Sequence, residues 1–94
     1  MFEIRTKAEG QVQLVGRLDA AEAERANQAL RAMPGPILLD CSELDYISSA
    51  GLGVLIELHK RLHAAGQTLT LSRLVPRVRN VFTYAGLDRL MKIE

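Results

Sequence analysis

Two adjacent hydroxyls, Ser48 and Ser49, stand where this chain could do chemistry. A short polar stretch ends there and a helical pattern begins. Leu52, Leu55, Ile56, His59, Leu62 and His63 recur at three and four residues, and Gly66 supplies a stop. A serine at a helix start meets unpaired backbone N–H groups at the positive end of the helix dipole, a place that favours negative charge. Its hydroxyl can cap the helix, or it can carry a phosphate. Spacing does not separate the two.

Other residues invite chemistry less strongly. His59 and His63 lie four apart on the same helix, a spacing that can share a metal ion. No glutamate of an H-E-x-x-H pattern and no third ligand accompany them, so the pair reads as surface and no metal site is expected. Cys41 reads as a small buried residue rather than a reactive thiol. Ser49-Ala50-Gly51 is half of a G-x-S-x-G elbow, but Ile47 occupies the first glycine position. No Asp–His pair completes a triad, and there is no P-loop or G-x-G-x-x-G, so the chain reads as a non-enzyme without a cofactor. Gly51 and Gly53 are odder, because each glycine in a helix costs about 1 kcal/mol against alanine. Something must need bare backbone there: a partner surface, the neighbouring loop, or helix-on-sheet packing.

Elements must position these residues. Phe2, Ile4 and Thr6 alternate with Glu3, Arg5 and Lys7, and Val12 and Leu14 alternate with Gln11 and Gln13. The two runs, joined around Gly10, predict a hairpin. Asp19 and Glu22 have the form of a capping box for a helix whose inner face is Ala23, Ala26, Leu30 and Met33, with Glu24, Arg25, Gln28 and Arg31 towards water. Residues 37–40, after Pro34-Gly35-Pro36, predict a buried strand, followed by a polar link over 41–45 and then the helix from Ala50. Residues 68–72 predict another strand. Pro76 opens a last helix with Val78, Val81, Phe82 and Ala85 inward and Gly86 as its stop. Leu90, Met91 and Ile93 close the sheet or cover its edge. The order predicts an α/β fold: a small mixed β-sheet of four to five strands backed by about three α-helices.

The whole chain, 1–94, reads as one domain. Apolar residues make up 48% and charged residues 24%, with net charge +1, so no basic surface for nucleic acid is expected. No apolar run reaches the roughly 20 residues of a membrane span, and the first residues lack a signal-peptide core. One cysteine makes no internal disulfide, so a cytoplasmic setting is expected.

Three spaced motifs resemble a known family. Asp40-Cys41-Ser42 followed by Leu44-x-Tyr46-Ile47-Ser48-Ser49-Ala50-Gly51-Leu52-Gly53-Val54 is similar to the signature of STAS domains, the anti-sigma factor antagonists of bacterial partner-switching systems. Gly16-Arg17-Leu18-Asp19 resembles that family's G-x-L-D turn. Pro76-x-Val78-x-x-Val81-Phe82-x-x-Ala85-Gly86-Leu87 resembles its P-x-V…F…G-L pattern, so the likeness spans nearly the whole chain.

The resemblance implies a signalling role. An anti-sigma factor that is itself a serine kinase of the GHKL type would bind the unphosphorylated domain. Phosphorylation would release it, and a metal-dependent serine phosphatase would restore it. The family's acceptor position falls on Ser49, with Ser48 as the alternative. Asp19, Ser48 and Ala50 lie near the phosphosite, and Gly51, Leu52 and Gly53 face the partner. Ser48 stands where the family has an aspartate, and Ala50 where it has a second hydroxyl. A monomer or weak dimer is expected, and composition already argues for a cytoplasmic protein with neither nucleic acid nor membrane insertion. The alternative is an unphosphorylated scaffold subunit of a lipid-transport ATPase or stress-signalling assembly.

Overall fold

The computed structural model describes all 94 residues, Met1–Glu94. The chain runs through β1 (Phe2–Ala8), β2 (Gln11–Leu18), α1 (Ala20–Arg31), β3 (Ile37–Ile47), α2 (Ser49–Ala64), β4 (Leu69–Ser72), α3 (Pro76–Tyr84), a 3-10 turn (Leu87–Arg89) and β5 (Lys92–Ile93). The sheet has five strands in the order β1-β2-β3-β4-β5. β1 and β2 form the expected antiparallel hairpin, and the later neighbours are parallel. Each crossover steps in the same direction along the sheet, so right-handed connections lay the three helices on one face. A single core of 22 buried apolar residues fills the space between, with Leu14, Leu39 and Leu71 from the sheet against Leu30, Leu55, Leu62 and Phe82 from the helices. No helix is long and apolar enough to cross a membrane.

The elements follow from local chemistry. Strict alternation is absent from both hairpin strands: Val12, Gln13, Leu14 and Val15 of β2 are all buried, and burial on β1 falls away from Phe2, leaving Ile4 half-buried like Glu3 and Thr6 exposed. Ala26 and Leu30 are buried on α1 and Ala23 packs at the core's margin, as the spacing predicts; Met33 packs there too, but from the turn after the C-cap Ala32 rather than from the helix. Arg61 of α2 braces the far end of α1 by donating to the carbonyls of Leu30 (3.1 Å) and Met33 (2.8 Å). Gly16 has φ +97°, and a Cβ there would lie 2.2 Å from the Met1 carbonyl oxygen, so only glycine fits.

Two expectations are corrected. The polar stretch 41–45, expected to be a link, is strand: β3 continues to Ile47. Its pairing with β2 slips twice, between Gln13 and Val15 and between Gly16 and Arg17, so β3 carries an extra residue at each slip. Cys41, Leu44 and Ile47 therefore point inward at a spacing of three, and the period of two that marks a strand is lost. β4 pairs only with residues 37–40 of β3. Beyond that, α3 packs against β3, and Arg77 Nε donates to the Asp45 carbonyl at 3.2 Å. The second correction is Ala85, expected on the inner face of α3. It is exposed and serves as the C-cap, because the helix ends at Tyr84 before another turn reaches the core.

Candidate functional site

β2 and β3 end level with each other, Leu18 paired with Ile47. Each strand then turns directly into a helix, Asp19 capping α1 and Ser48 capping α2. Parallel pairing thus sets two helix N-termini side by side at the carboxyl ends of adjacent strands, and both carry the partial positive charge of their dipoles.

The two serines have different surroundings. Ser48 is extended backbone at φ −90°, ψ 174°. Its N–H donates to the Leu18 carbonyl at 3.0 Å, its Oγ donates to the same carbonyl at 3.3 Å, and its Oγ accepts the Gly51 N–H at 3.1 Å. Ser48 is half-buried and its hydroxyl is engaged in both directions. Ser49 is the first helical residue and is exposed, with its hydroxyl outside this network. The N-cap reading therefore belongs to Ser48, and a free hydroxyl at the helix start belongs to Ser49. Ala50, also exposed, follows it.

Asp19 Oδ1 accepts the Glu22 N–H at 3.2 Å, which is half of a capping box. The reciprocal half is not made, because the Glu22 carboxylate pairs with Arg25 at 2.8 Å. Asp19 directly follows Leu18, whose carbonyl holds Ser48, and its own carboxylate is used within α1.

The glycines separate as well. Gly51 is buried, and a Cβ there would lie 2.6 Å from the Leu18 oxygen and 2.8 Å from Ile47 Cγ1. Close packing of α2 on the strand ends accounts for it. A Cβ on Gly53 would meet nothing within 4 Å, so no internal contact requires that glycine. Leu52 between them is half-buried at the margin of the core.

Sequence reasoning missed two cations around this end. Arg17 and Tyr46 are paired across β2 and β3, and the guanidinium lies 4.2 Å from the ring centroid. Arg77 reaches in from α3 to the Asp45 carbonyl. Neither was legible: the first depends on a strand pairing displaced by bulges, the second on how α3 docks against β3.

Below the site, Asp40 pairs with Arg73, and its Oδ1 accepts the Ser42 N–H at 3.0 Å. Partial burial pushes the Asp40 carboxyl up, but the Ser42 amide and the Arg73 guanidinium outweigh it and hold it below the usual carboxylate value. Burial, with Asp40 beside it, pushes the Cys41 thiol up to about 12, so it stays protonated and unreactive at neutral pH.

Comparison with known proteins gives a consistent result. A family model described as "Mlab, STAS domain" matches residues 1–92. A candidate anti-sigma factor antagonist of Bordetella bronchiseptica, BtrV, is 39% identical over 77 residues, covering 78% of this chain and 66% of BtrV. The anti-sigma-B factor antagonist of Listeria monocytogenes is 31% identical over 85 residues, covering 86% of this chain and 75% of its own. Among solved structures, a candidate anti-sigma factor antagonist of Thermotoga maritima superposes with TM-score 0.82 at 24% identity, over 98% of this chain and 84% of that one. The Bacillus cell fate determinant SpoIIAA in its phosphorylated form superposes with TM-score 0.72 at 21% identity, over 100% and 91%. These structural likenesses bear on the fold.

Proposed function

The chain belongs to the STAS domain family, and from that premise we propose that it is an anti-sigma factor antagonist switched by phosphorylation of Ser49. The observation that carries the reading is the division of labour between the serines. Ser48 is tied up as the cap, whereas Ser49 offers an exposed hydroxyl at the first position of a 16-residue helix. In this reading the chain is a regulatory binding partner, not an enzyme, and needs no cofactor. Its partners are a GHKL-type serine kinase acting as anti-sigma factor and a metal-dependent serine phosphatase, in the cytoplasm.

Charge explains the switch. A phosphate on Ser49 adds about −1.5 to −2 charge where the α2 dipole and free N–H groups favour it, so the fold tolerates the modification. A partner packed across Ala50, Leu52 and Gly53 would be pushed away if its facing surface is apolar or acidic. Gly53, bare without an internal reason, supports close approach at this place. Asp19, in this reading, orients the acceptor or its kinase.

The test is phosphotransfer from the cognate kinase with ATP, followed by mass spectrometry and a binding assay. One phosphate on Ser49, with loss of affinity, is expected. Ser49→Ala stays unmodified and keeps binding, Ser49→Asp binds partly, and Asp19→Ala lowers phosphotransfer more than binding. Phosphate on Ser48 would move the site without changing the mechanism.

A scaffold subunit of a lipid-transport ATPase or stress-signalling assembly is the second reading. Ala50 and Ser48, both departures from the family pattern, favour it. It prevails if neither serine is modified and Ser49→Asp binds like wild type.

A further inference from the structure

The histidine pair on α2 is not used by the site above. His59 is half-buried and His63 exposed, both on the second half of the helix. Their rings face each other with centroids 5.6 Å apart and planes inclined by 21°. A metal-bound imidazole has its nitrogen about 2.0–2.1 Å from the ion, which places the ring centroid about 3.2 Å away. As they stand the rings stack face to face, so a shared ion requires both side chains to turn a nitrogen inward, which the four-residue spacing on one helix face allows.

The helix end favours a cation, and the adjacent side-chain charges oppose it. The pair lies in the last two turns of α2, where the helix dipole is negative. Lys60 and Arg61 are the neighbouring charges. The Arg61 guanidinium is committed to the carbonyls of Leu30 and Met33 on α1. No group of three or more His, Cys, Asp or Glu side chains is gathered anywhere in the chain. A bound ion would therefore have two protein ligands, with water in its remaining positions.

We propose that His59 and His63 form a two-point chelate for a borderline divalent transition-metal ion such as Cu2+, Ni2+ or Zn2+. The imidazole ligands select such ions over Mg2+ and Ca2+, which prefer oxygen. The second imidazole closes on an ion already held by the first, so the pair binds more tightly than either alone.

The experiment is titration of the untagged full chain with Ni2+, Cu2+, Zn2+ and Mg2+ separately, read by calorimetry and by melting temperature. One transition-metal ion per chain is expected, with Cu2+ tightest, no response to Mg2+, and a rise in Tm because only folded α2 holds the rings together. His59→Asn and His63→Asn should each weaken binding by about tenfold or more. A variant combining His63→Ala with Ala64→His keeps the histidine count but breaks the four-residue spacing, and should bind as weakly as the single variants. Both altered positions are exposed, so folding is kept, and circular dichroism checks it. Binding unchanged in the shifted variant, or no saturable uptake by the wild type, would overturn the proposal.

Discussion

Ser48 meets the Leu18 carbonyl twice, through its N–H at 3.0 Å and its Oγ at 3.3 Å, and so ties the start of α2 to the end of β2. The same Oγ accepts the Gly51 N–H, one of the donors a helix start leaves unpaired. An aspartate could accept that N–H as well, but a carboxylate could not also donate to Leu18. The serine at 48 is therefore suited to both duties.

A stability difference between the serines follows. Ser48→Ala removes the cap and should cost about 0.5–2 kcal/mol. Ser49→Ala should change stability by no more than about 0.5 kcal/mol, as for an exposed side chain without partners. Urea unfolding with unchanged slope is the measurement. Equal costs would mean that Ser49 holds a structural bond after all.

The two glycines should respond with opposite signs. Gly53→Ala adds a Cβ into open space and should stabilise the fold by about 0.5–1 kcal/mol through helix propensity. Gly51→Ala drives a Cβ into the Leu18 carbonyl and Ile47, and should destabilise by about 1–3 kcal/mol. Melting of both variants decides it. If Gly53→Ala is more stable yet binds its partner less well, the bare backbone there serves recognition rather than folding.

Asp40 should give the fold an acid-sensitive contribution. Its folded carboxyl titrates below the usual value of 3.8, so the unfolded chain binds the proton first as pH falls. The contribution is full above that unfolded value and is lost as pH drops through the folded one. Arg73 is largely exposed, which limits its share. Unfolding curves of wild type and Asp40→Asn should differ most at pH 7, and the difference should shrink as pH falls below 3.8. A constant difference over that range would contradict the assignment.

Cys41 should resist alkylation in the native protein at pH 8 and react on unfolding. With the folded thiol raised to about 12, the unfolded chain releases the proton first. Stability tied to Cys41 is thus present below the unfolded value and declines above about pH 8.5–9. Iodoacetamide labelling with and without urea reads the first point. Rapid native labelling would show that the β3 core opens easily.

Much of the scaffold was legible because its signals are local. The hairpin of β1 and β2 around Gly10, the Asp19 cap, the three-and-four spacing of α2 and Pro76 at the start of α3 each depend on neighbours in sequence. The second half of β3 was not legible. Two slips against β2 turn its inward residues to a spacing of three, and such slips belong to the pair of strands rather than to either one. The Arg17–Tyr46 stack was hidden for the same reason.

The sequence by itself determined that a helix begins at the two serines, that glycines follow them, and which family the motifs resemble. Only the tertiary structure decided which serine is the cap and which is free, and which glycine is needed for packing and which is not. Leu18 is the reason for both. Its carbonyl and side chain, brought in by a strand 30 residues earlier, engage Ser48 and crowd Gly51, while Ser49 and Gly53 turn away from it. A contact across that separation is set by the sheet's register, and no periodicity within 37–63 encodes it.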